Sequence, residues 1–358
     1  MKVGIVTQPL YANYGGILQD YALQQVLKKM GHEPVTLDYM PSLSFGRYLL
    51  YAGKTLVCAF SPAKRHPLKP YKHFLKRPQS IDSFVSNNIV TTRIVPDYTR
   101  KLLKKHGIEA LIVGSDQVWR YGYNSAHLDD MYLAFAQKYN CIKLAYAASF
   151  GVEKWTYSEK LADEARELIK QFNAVSVRED SAMDICRDVL GVDAKTVLDP
   201  TLLLTAEVYG QFCEESVAGE KPYLAAYVLD INDEKNRFIE AVAEAKGLVV
   251  KKMTVTDSGC SIEEWLTTIK NASFVITDSY HGSLFSIIFE KQFLTFVNKE
   301  RGADRFSTLF RRLDILDRLI ESPSATQSVD SMTDYSTIRP VLQSLREDSL
   351  LFLKDNLS

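Results

Sequence analysis

Along this chain, short apolar runs alternate with longer stretches in which apolar side chains recur about every three or four positions. The first pattern is that of a strand buried on both faces, the second that of an amphipathic helix. Residues 2–7 (KVGIVT) predict a strand, 8–16 a turn, and the residues from there to about Met30 a helix with Leu18, Ala22, Leu23, Val26 and Leu27 on one face. Gly31 ends that helix and 35–37 begin the next strand, which completes one βαβ unit. Further strands are expected at 110–113, 143–147, 174–177 and 195–198, with helices at 158–172 and 205–213. Residues 217–221 (VAGEK) read as a linker. A second alternating series has strands at 223–228, 248–252, 274–276 and 293–297, and helices at 233–246, 261–271, 284–289 and 306–313. Residues 321–333 read as a loop and 336–357 as a closing amphipathic helix.

Strand-helix alternation of this kind implies parallel sheets covered on both faces. A length of 358 residues exceeds what one core ordinarily holds. The expected fold is therefore α/β, with two Rossmann-like doubly wound domains facing a cleft. The N-terminal domain would span 1–216 with a basic insert at 39–81, the C-terminal domain 217–335, and the helix at 336–358 would pack back across both.

Composition narrows the partners. With 46% hydrophobic and 24% charged residues the chain is an ordinary globular one. Its formal net charge of −1 gives none of the positive excess on which nucleic-acid binding relies. The five cysteines (Cys58, Cys141, Cys186, Cys213 and Cys260) are odd in number and contain no CxxC, so neither a disulfide frame nor a zinc site is expected. The apolar N-terminus is too short for a signal peptide, and no run reaches the roughly 18–20 residues that span a bilayer. A cytoplasmic protein is expected. Segment 39–81 lacks Asp and Glu but interleaves Arg47, Lys54, Lys64, Arg65, Lys69, Lys72, Lys76 and Arg77 with aromatic residues. Such a segment suits peripheral contact with an anionic membrane, here its inner face, or grip on a phosphorylated acceptor.

Candidate chemistry gathers in the polar turns that follow predicted strands, which parallel sheets place along one edge. These turns carry Asn13, Tyr14 and Gly15; Ser115, Asp116 and Gln117; Ser149; Arg178 and Glu179; Ser279, Tyr280, His281 and Gly282; and Lys299 and Arg301. His281 lies where an apolar strand hands over to a helix, a place that favours anions because backbone N–H groups and the helix dipole point there. Arginines would neutralise a small anion there while the histidine moves a proton. Arg178 has two readings: an ion pair with an acidic neighbour as structure, or a planar fork for a substrate carboxylate or phosphate. Asp180 or Ser181 is placed to cap the next helix. No GxSxG occurs, the first turn is not GxGxxG, and the six histidines show no HxxxH or HxH spacing, so no nucleophilic triad, metal or cofactor is expected.

Six motifs in order carry a resemblance: NYGGILQDYAL (13–23), GSDQVW (114–119), YAASFG (146–151), SVRE (176–179), VLDPTLLL (197–204) and TDSYHGSLFSIIF (277–289). Together they resemble the polysaccharide pyruvyltransferase family, over roughly residues 1–315. The resemblance implies a glycosyltransferase-B-like pair of domains. It also implies transfer of a pyruvyl group from phosphoenolpyruvate to sugar hydroxyls of a capsular, exopolysaccharide or other surface glycan as a cyclic ketal, with a lipid-linked oligosaccharide as the expected acceptor. His281 and Arg178 take the places of the family's TDxxH histidine and SVRE arginine. Some members have arginine where this chain has Ser279, and the family's later basic residue falls on Lys299 or Arg301. Arg301 is favoured because its planar fork precedes Gly302. Asp116 and Glu179 are candidates to orient His281 or deprotonate the acceptor. Two alternatives stand beside this reading: a nucleotide-sugar-dependent glycosyltransferase on the same architecture, and a non-catalytic glycan- or anion-binding partner.

Overall fold

The computed structural model describes residues 1–11, 13–40, 77–125, 127–216, 219, 221–253, 260–298, 302–321 and 331–357. Lys299, Arg301, Cys58 and most of the basic insert lie outside them.

Two parallel sheets make up the frame. The first holds β1 (Lys2–Val6), β2 (Glu33–Thr36), β3 (Ala110–Val113), β4 (Ile142–Ala148), β5 (Ala174–Val177) and β6 (Lys195–Thr196) in the order β2-β1-β3-β4-β5-β6. The second holds β7 (Tyr223–Tyr227), β8 (Val249–Lys252), β9 (Phe274–Thr277), β10 (Phe293–Phe296) and β11 (Leu319–Ile320) in the order β11-β10-β9-β7-β8. Every pairing is parallel. In each sheet the order reverses once, between β1 and β3 and between β7 and β9. Crevices open at such switch points, beyond the strands' C-terminal ends.

Local chemistry explains most of these elements. Central strands such as ALIV in β3 and FVIT in β9 are buried along their whole length, as strands covered on both faces must be. The helix Ile262–Asn271 begins with a capping box, Ser261 accepting from the Glu264 N–H while Glu264 accepts from that of Ser261. Other boundaries move inward from the expected ones. β6 is two residues rather than four, because Asp199 and Pro200 start a tight 3-10 turn, and the helix at 205–213 contracts to Ala206–Gly210. The cap before the helix Asp180–Ile185 is Glu179, not Asp180 or Ser181; those two side chains sit inside the first turn. The closing helix, Tyr335–Asn356, spans both halves. Its Tyr335 hydroxyl donates to the carbonyls of Ser286 and Lys291, while its Ser349 hydroxyl accepts from Leu198 N–H and its Arg346 donates to the Leu202 carbonyl.

One buried carboxyl makes folding pH-dependent. Asp20, on the helix Tyr14–Lys29, is wholly buried, with the Thr36 hydroxyl 2.8 and 2.7 Å from its two oxygens. Burial pushes it up to about 7, against the lowering by Thr36, and Asp38 adds to the rise. The folded carboxyl thus holds its proton where the unfolded one has lost it. This contribution is fully present below pH ~4, the unfolded value, fades as pH rises, and is gone above about 7. Asp20→Asn removes the dependence. Relative to wild type, the variant's stability should improve by on the order of 1–4 kcal/mol between pH 4 and 8, read from thermal midpoints at each pH. A difference that stays constant with pH would show that Asp20 does not titrate in this range.

Candidate active site

The turn 277–282 is built almost entirely from its own side chains. The Thr277 hydroxyl donates to the Tyr227 carbonyl (2.6 Å) and accepts from Ser279 N–H (3.0 Å). Asp278, fully buried, accepts from the N–H groups of Leu229 and Asp230 and from Lys235, which fixes the end of β7 beside the end of β9. Ser279 caps the helix Tyr280–Ile288 by accepting from Gly282 N–H (3.3 Å). At Gly282 a Cβ would lie 2.3 Å from the Thr277 hydroxyl, so only glycine lets the helix sit this close to its strand. His281 therefore stands in the first turn of the helix, not in the loop before it.

The opposite wall is the start of the helix Tyr14–Lys29. Its N-cap, Asn13, makes no side-chain cap, because its amide donates instead to Asp116 (2.9 Å). At Gly15 a Cβ would fall 2.0 Å from His281 Nδ1, so the imidazole lies directly on the helix backbone. Two helix N-termini, each bearing amides without backbone partners, thus meet around one histidine.

Beneath the histidine is a charged layer. Asp199, at the end of β6, accepts from Thr201 through Oδ1, and its Oδ2 accepts from Arg178 Nη1 (2.8 Å) and from the Ser115 hydroxyl (3.0 Å). The same oxygen stands 3.6 Å from His281 Nε2, too far for a full hydrogen bond, and Nε2 has no other partner. Burial alone would raise the Asp199 carboxyl, but His281, Arg178 and the Thr201 amide outweigh it and hold it well below the carboxylate range. Arg178 also faces Asp116 at 3.5 Å and Glu179 at 3.8 Å, and its guanidinium lies 4.6 Å over the Tyr280 ring. Asp116 holds a left-handed backbone (φ 76°), an uncommon and strained state for a non-glycine residue. Burial would raise its carboxyl, but Arg178, His281 and Arg305 together lower it.

Arg305 is the cation that sequence reading passed over. The helix expected from 306 begins two residues earlier, at Asp304, and Arg305 in its first turn enters the cleft. Asp304 accepts from Ser181 N–H, and the Gly302 backbone (φ 90°) packs where a Cβ would lie 3.0 Å from the Gly151 carbonyl oxygen, so this helix is docked onto the other half. The Arg305 guanidinium lies 5.0 Å from the centre of the Tyr280 ring, which it shares with Arg178. It is only 7% exposed, its Nε has no hydrogen-bond partner, and it makes no ion pair among the described residues. Burial and the like charge of Arg178 lower it to about 10, against the pull of Asp116, Tyr280 and Glu179, which still leaves it charged at neutral pH.

The cleft between the halves has a volume of about 530 Å³, with Asn13, Asp116 and Gln117 facing Ser279, Tyr280, His281 and Arg305. A hollow of about 640 Å³ beside the helix Glu159–Ile169 is larger, but no cationic side chain lines it. Several expected binding residues stand behind the cleft wall. Tyr14 gives its hydroxyl to the Cys260 carbonyl. Ser115 gives its own to Asp199, and the Ser149 hydroxyl accepts from Gly151 N–H. Glu179 is 2% exposed with neither oxygen within hydrogen-bond geometry, and burial raises its carboxyl despite Arg178. Gly15 and Gly282 serve by making room. Of the carboxylates, Asp199 rather than Asp116 or Glu179 stands closest to His281 Nε2. Its signal was present in the motif VLDPTLLL, which ends a strand with an acid before proline.

A search of curated proteins returns no sequence match. Among solved structures, the chain superposes on the glycotransferase of kitacinnamycin with a TM-score of 0.50 and 11% identity, covering 100% of this chain and 99% of that one. It superposes on S. aureus MnaA in its UDP co-structure with a TM-score of 0.52 and 10% identity, covering 97% and 90%. At such identities the likeness is one of fold, two Rossmann-like domains in a glycosyltransferase-B-like arrangement. The model of the family described as polysaccharide pyruvyl transferase matches residues 13–300, which contain His281, Arg178, Asp199 and Asp116. The chain belongs to the polysaccharide pyruvyl transferase family.

Proposed function

We propose that this protein moves the pyruvyl group of phosphoenolpyruvate onto two hydroxyls of a sugar as a cyclic ketal, during synthesis of a surface polysaccharide. The observation that carries the proposal is Arg305: a guanidinium 93% buried, lining the cleft without an ion pair among the described residues, beside the unpartnered Nε2 of His281. A buried charge without a partner is costly, and an anionic ligand removes that cost. Phosphoenolpyruvate carries phosphate and carboxylate on three carbons and suits the space between Arg305 and the two helix N-termini. Arg178 gives Nη1 to Asp199 and lies over the Tyr280 ring, while its Nε and Nη2 have no hydrogen-bond partner among the described residues and add positive charge behind the site.

In this reading His281 gives a proton to C3 of the enol as positive charge develops at C2. The first sugar hydroxyl adds at C2 and its proton returns to His281. The C2–O bond to phosphate then breaks, the second hydroxyl adds at C2, and its proton leaves with the phosphate. One donor and two hydroxyls become one ketal and one inorganic phosphate, with no redox change.

The test is incubation with phosphoenolpyruvate and a panel of galactosides and mannosamine derivatives, free and lipid-linked, read by mass spectrometry and phosphate release. A pyruvyl ketal with matching phosphate is expected, and Arg305→Ala should raise the KM for phosphoenolpyruvate by roughly 10–100-fold, the worth of one charged hydrogen bond. Consumption of a nucleotide sugar with no use of phosphoenolpyruvate would replace this reading by a glycosyltransferase. Binding of glycan without turnover of any donor would replace it by a non-catalytic role.

A further inference from the structure

The cleft is graded from buried to open. Arg305 and His281 are 7% and 6% exposed, whereas Tyr123, which lines the same cleft, is 53% exposed. Tyr123 is not a loose surface ring. The Arg120 guanidinium lies over one face, 4.6 Å from the ring centre, and Arg120 Nη1 donates to Gln117 Oε1 at 2.6 Å. An aromatic ring held on one face and open on the other is a rigid platform bought at little entropy. Beside it Gln8 donates through Nε2 to the Gln117 carbonyl, and no described residue donates to its Oε1. Next along the short helix Tyr121–Asn124 comes Tyr121, 42% exposed, packed 5.4 Å from the Tyr157 ring and donating its N–H to the Tyr157 hydroxyl.

Resting on the reading above, we propose that Tyr123 is the floor of the acceptor subsite, and that the pyranose to be modified stacks its C–H face on the open side of this ring. A ring backed by Arg120 on one face, with the amides of Gln8 and Gln117 lining the same cleft, matches a sugar, whose faces carry C–H bonds and whose rim carries hydroxyls. The cation at the ring, Arg120, lies on its covered face and is engaged with Gln117, so the phosphate and carboxylate of the donor go to the deeper Arg305 instead. A cleft of about 530 Å³ lies within the range of whole small-molecule sites and exceeds the need of a three-carbon donor, so both reactants fit together.

Saturation-transfer NMR on the whole chain tests this with methyl β-galactoside, methyl α-mannoside and lactose as probes, each against wild type, Tyr123→Phe and Tyr123→Ala. Wild type and Tyr123→Phe should saturate the C–H protons of one sugar face, and Tyr123→Ala should bind about tenfold more weakly. Phosphoenolpyruvate affinity, followed by phosphorus NMR, should stay within about twofold in all three. The subsite is overturned if no probe sugar binds wild type, if Tyr123→Ala leaves sugar contacts unchanged, or if it weakens UDP or phosphoenolpyruvate instead. Failure of phosphoenolpyruvate to bind wild type would sink the donor reading while leaving the sugar readout to decide the platform.

Discussion

His281→Ala is expected to lower pyruvyl transfer by about 10³-fold or more, while the fold and its thermal midpoint stay close to wild type. General acid-base catalysis by one positioned group is worth roughly 10²–10⁴-fold. Here the group also stands at two helix N-termini, in the cleft lined by a guanidinium that has no ion pair among the described residues. Stability should change little because the neighbours of His281 keep their partners. Asp199 still accepts from Arg178, Ser115 and Thr201, and the imidazole has no close hydrogen bond to lose. The measurement is ketal formation with matching phosphate release, alongside a thermal melt and donor binding by phosphorus NMR. Retained turnover in a folded variant would remove His281 from the chemistry.

Asp199→Ala should act on both stability and activity, and this separates its role from that of His281. Its carboxylate is wholly buried and compensates the buried Arg178 directly. Truncation leaves that guanidinium without its shortest contact and the Ser115 hydroxyl and Thr201 amide without acceptors. Removing one partner of a buried pair typically costs about 3–5 kcal/mol, so the midpoint should fall by on the order of 10 °C. Asp199→Asn keeps the shape and one acceptor oxygen but removes the charge that faces both Arg178 and His281. It should fold better than the alanine variant yet lose most of its turnover. If Asp199→Asn keeps the wild-type rate, Asp199 is a structural residue only. The depressed carboxyl fixes the sign: its contribution persists above the unfolded value near pH ~4 and is lost only as pH falls toward the lower folded value.

What was legible in the sequence follows from how local each signal is. The parallel sheets could be read because β3 and β9 announce burial on both faces through their own residues. The placing of His281 at a strand-helix junction could be read because Thr277, Asp278, Ser279 and Gly282 build that junction within six residues. Arg305 was hidden by a boundary. The helix begins at Asp304, whose carboxylate accepts from the N–H of Ser181 of the other half, and no residue near 304 encodes that contact.

The division of labour among the polar residues was hidden in the same way. Ser115, Ser149 and Glu179 have the composition of binding residues, yet a wall stands between them and the cleft. Arg178 could be read as structural or as ligand-binding. Its Nη1 contact with Asp199 lies 21 positions further on, and its Nε and Nη2 have no hydrogen-bond partner among the described residues, a division no local pattern shows.

By itself, then, the sequence determined the alternation of strands and helices, the family motifs and the histidine at a helix start, since each rests on side chains a few positions apart. Only the tertiary structure decided that Asp199 backs the histidine, that Gly15 of one half lies against His281 of the other, and that Arg305 faces the cleft. Those relations join residues separated by tens to hundreds of positions. They are fixed by how two sheets present their strand ends to each other, and no local pattern of residues carries that information.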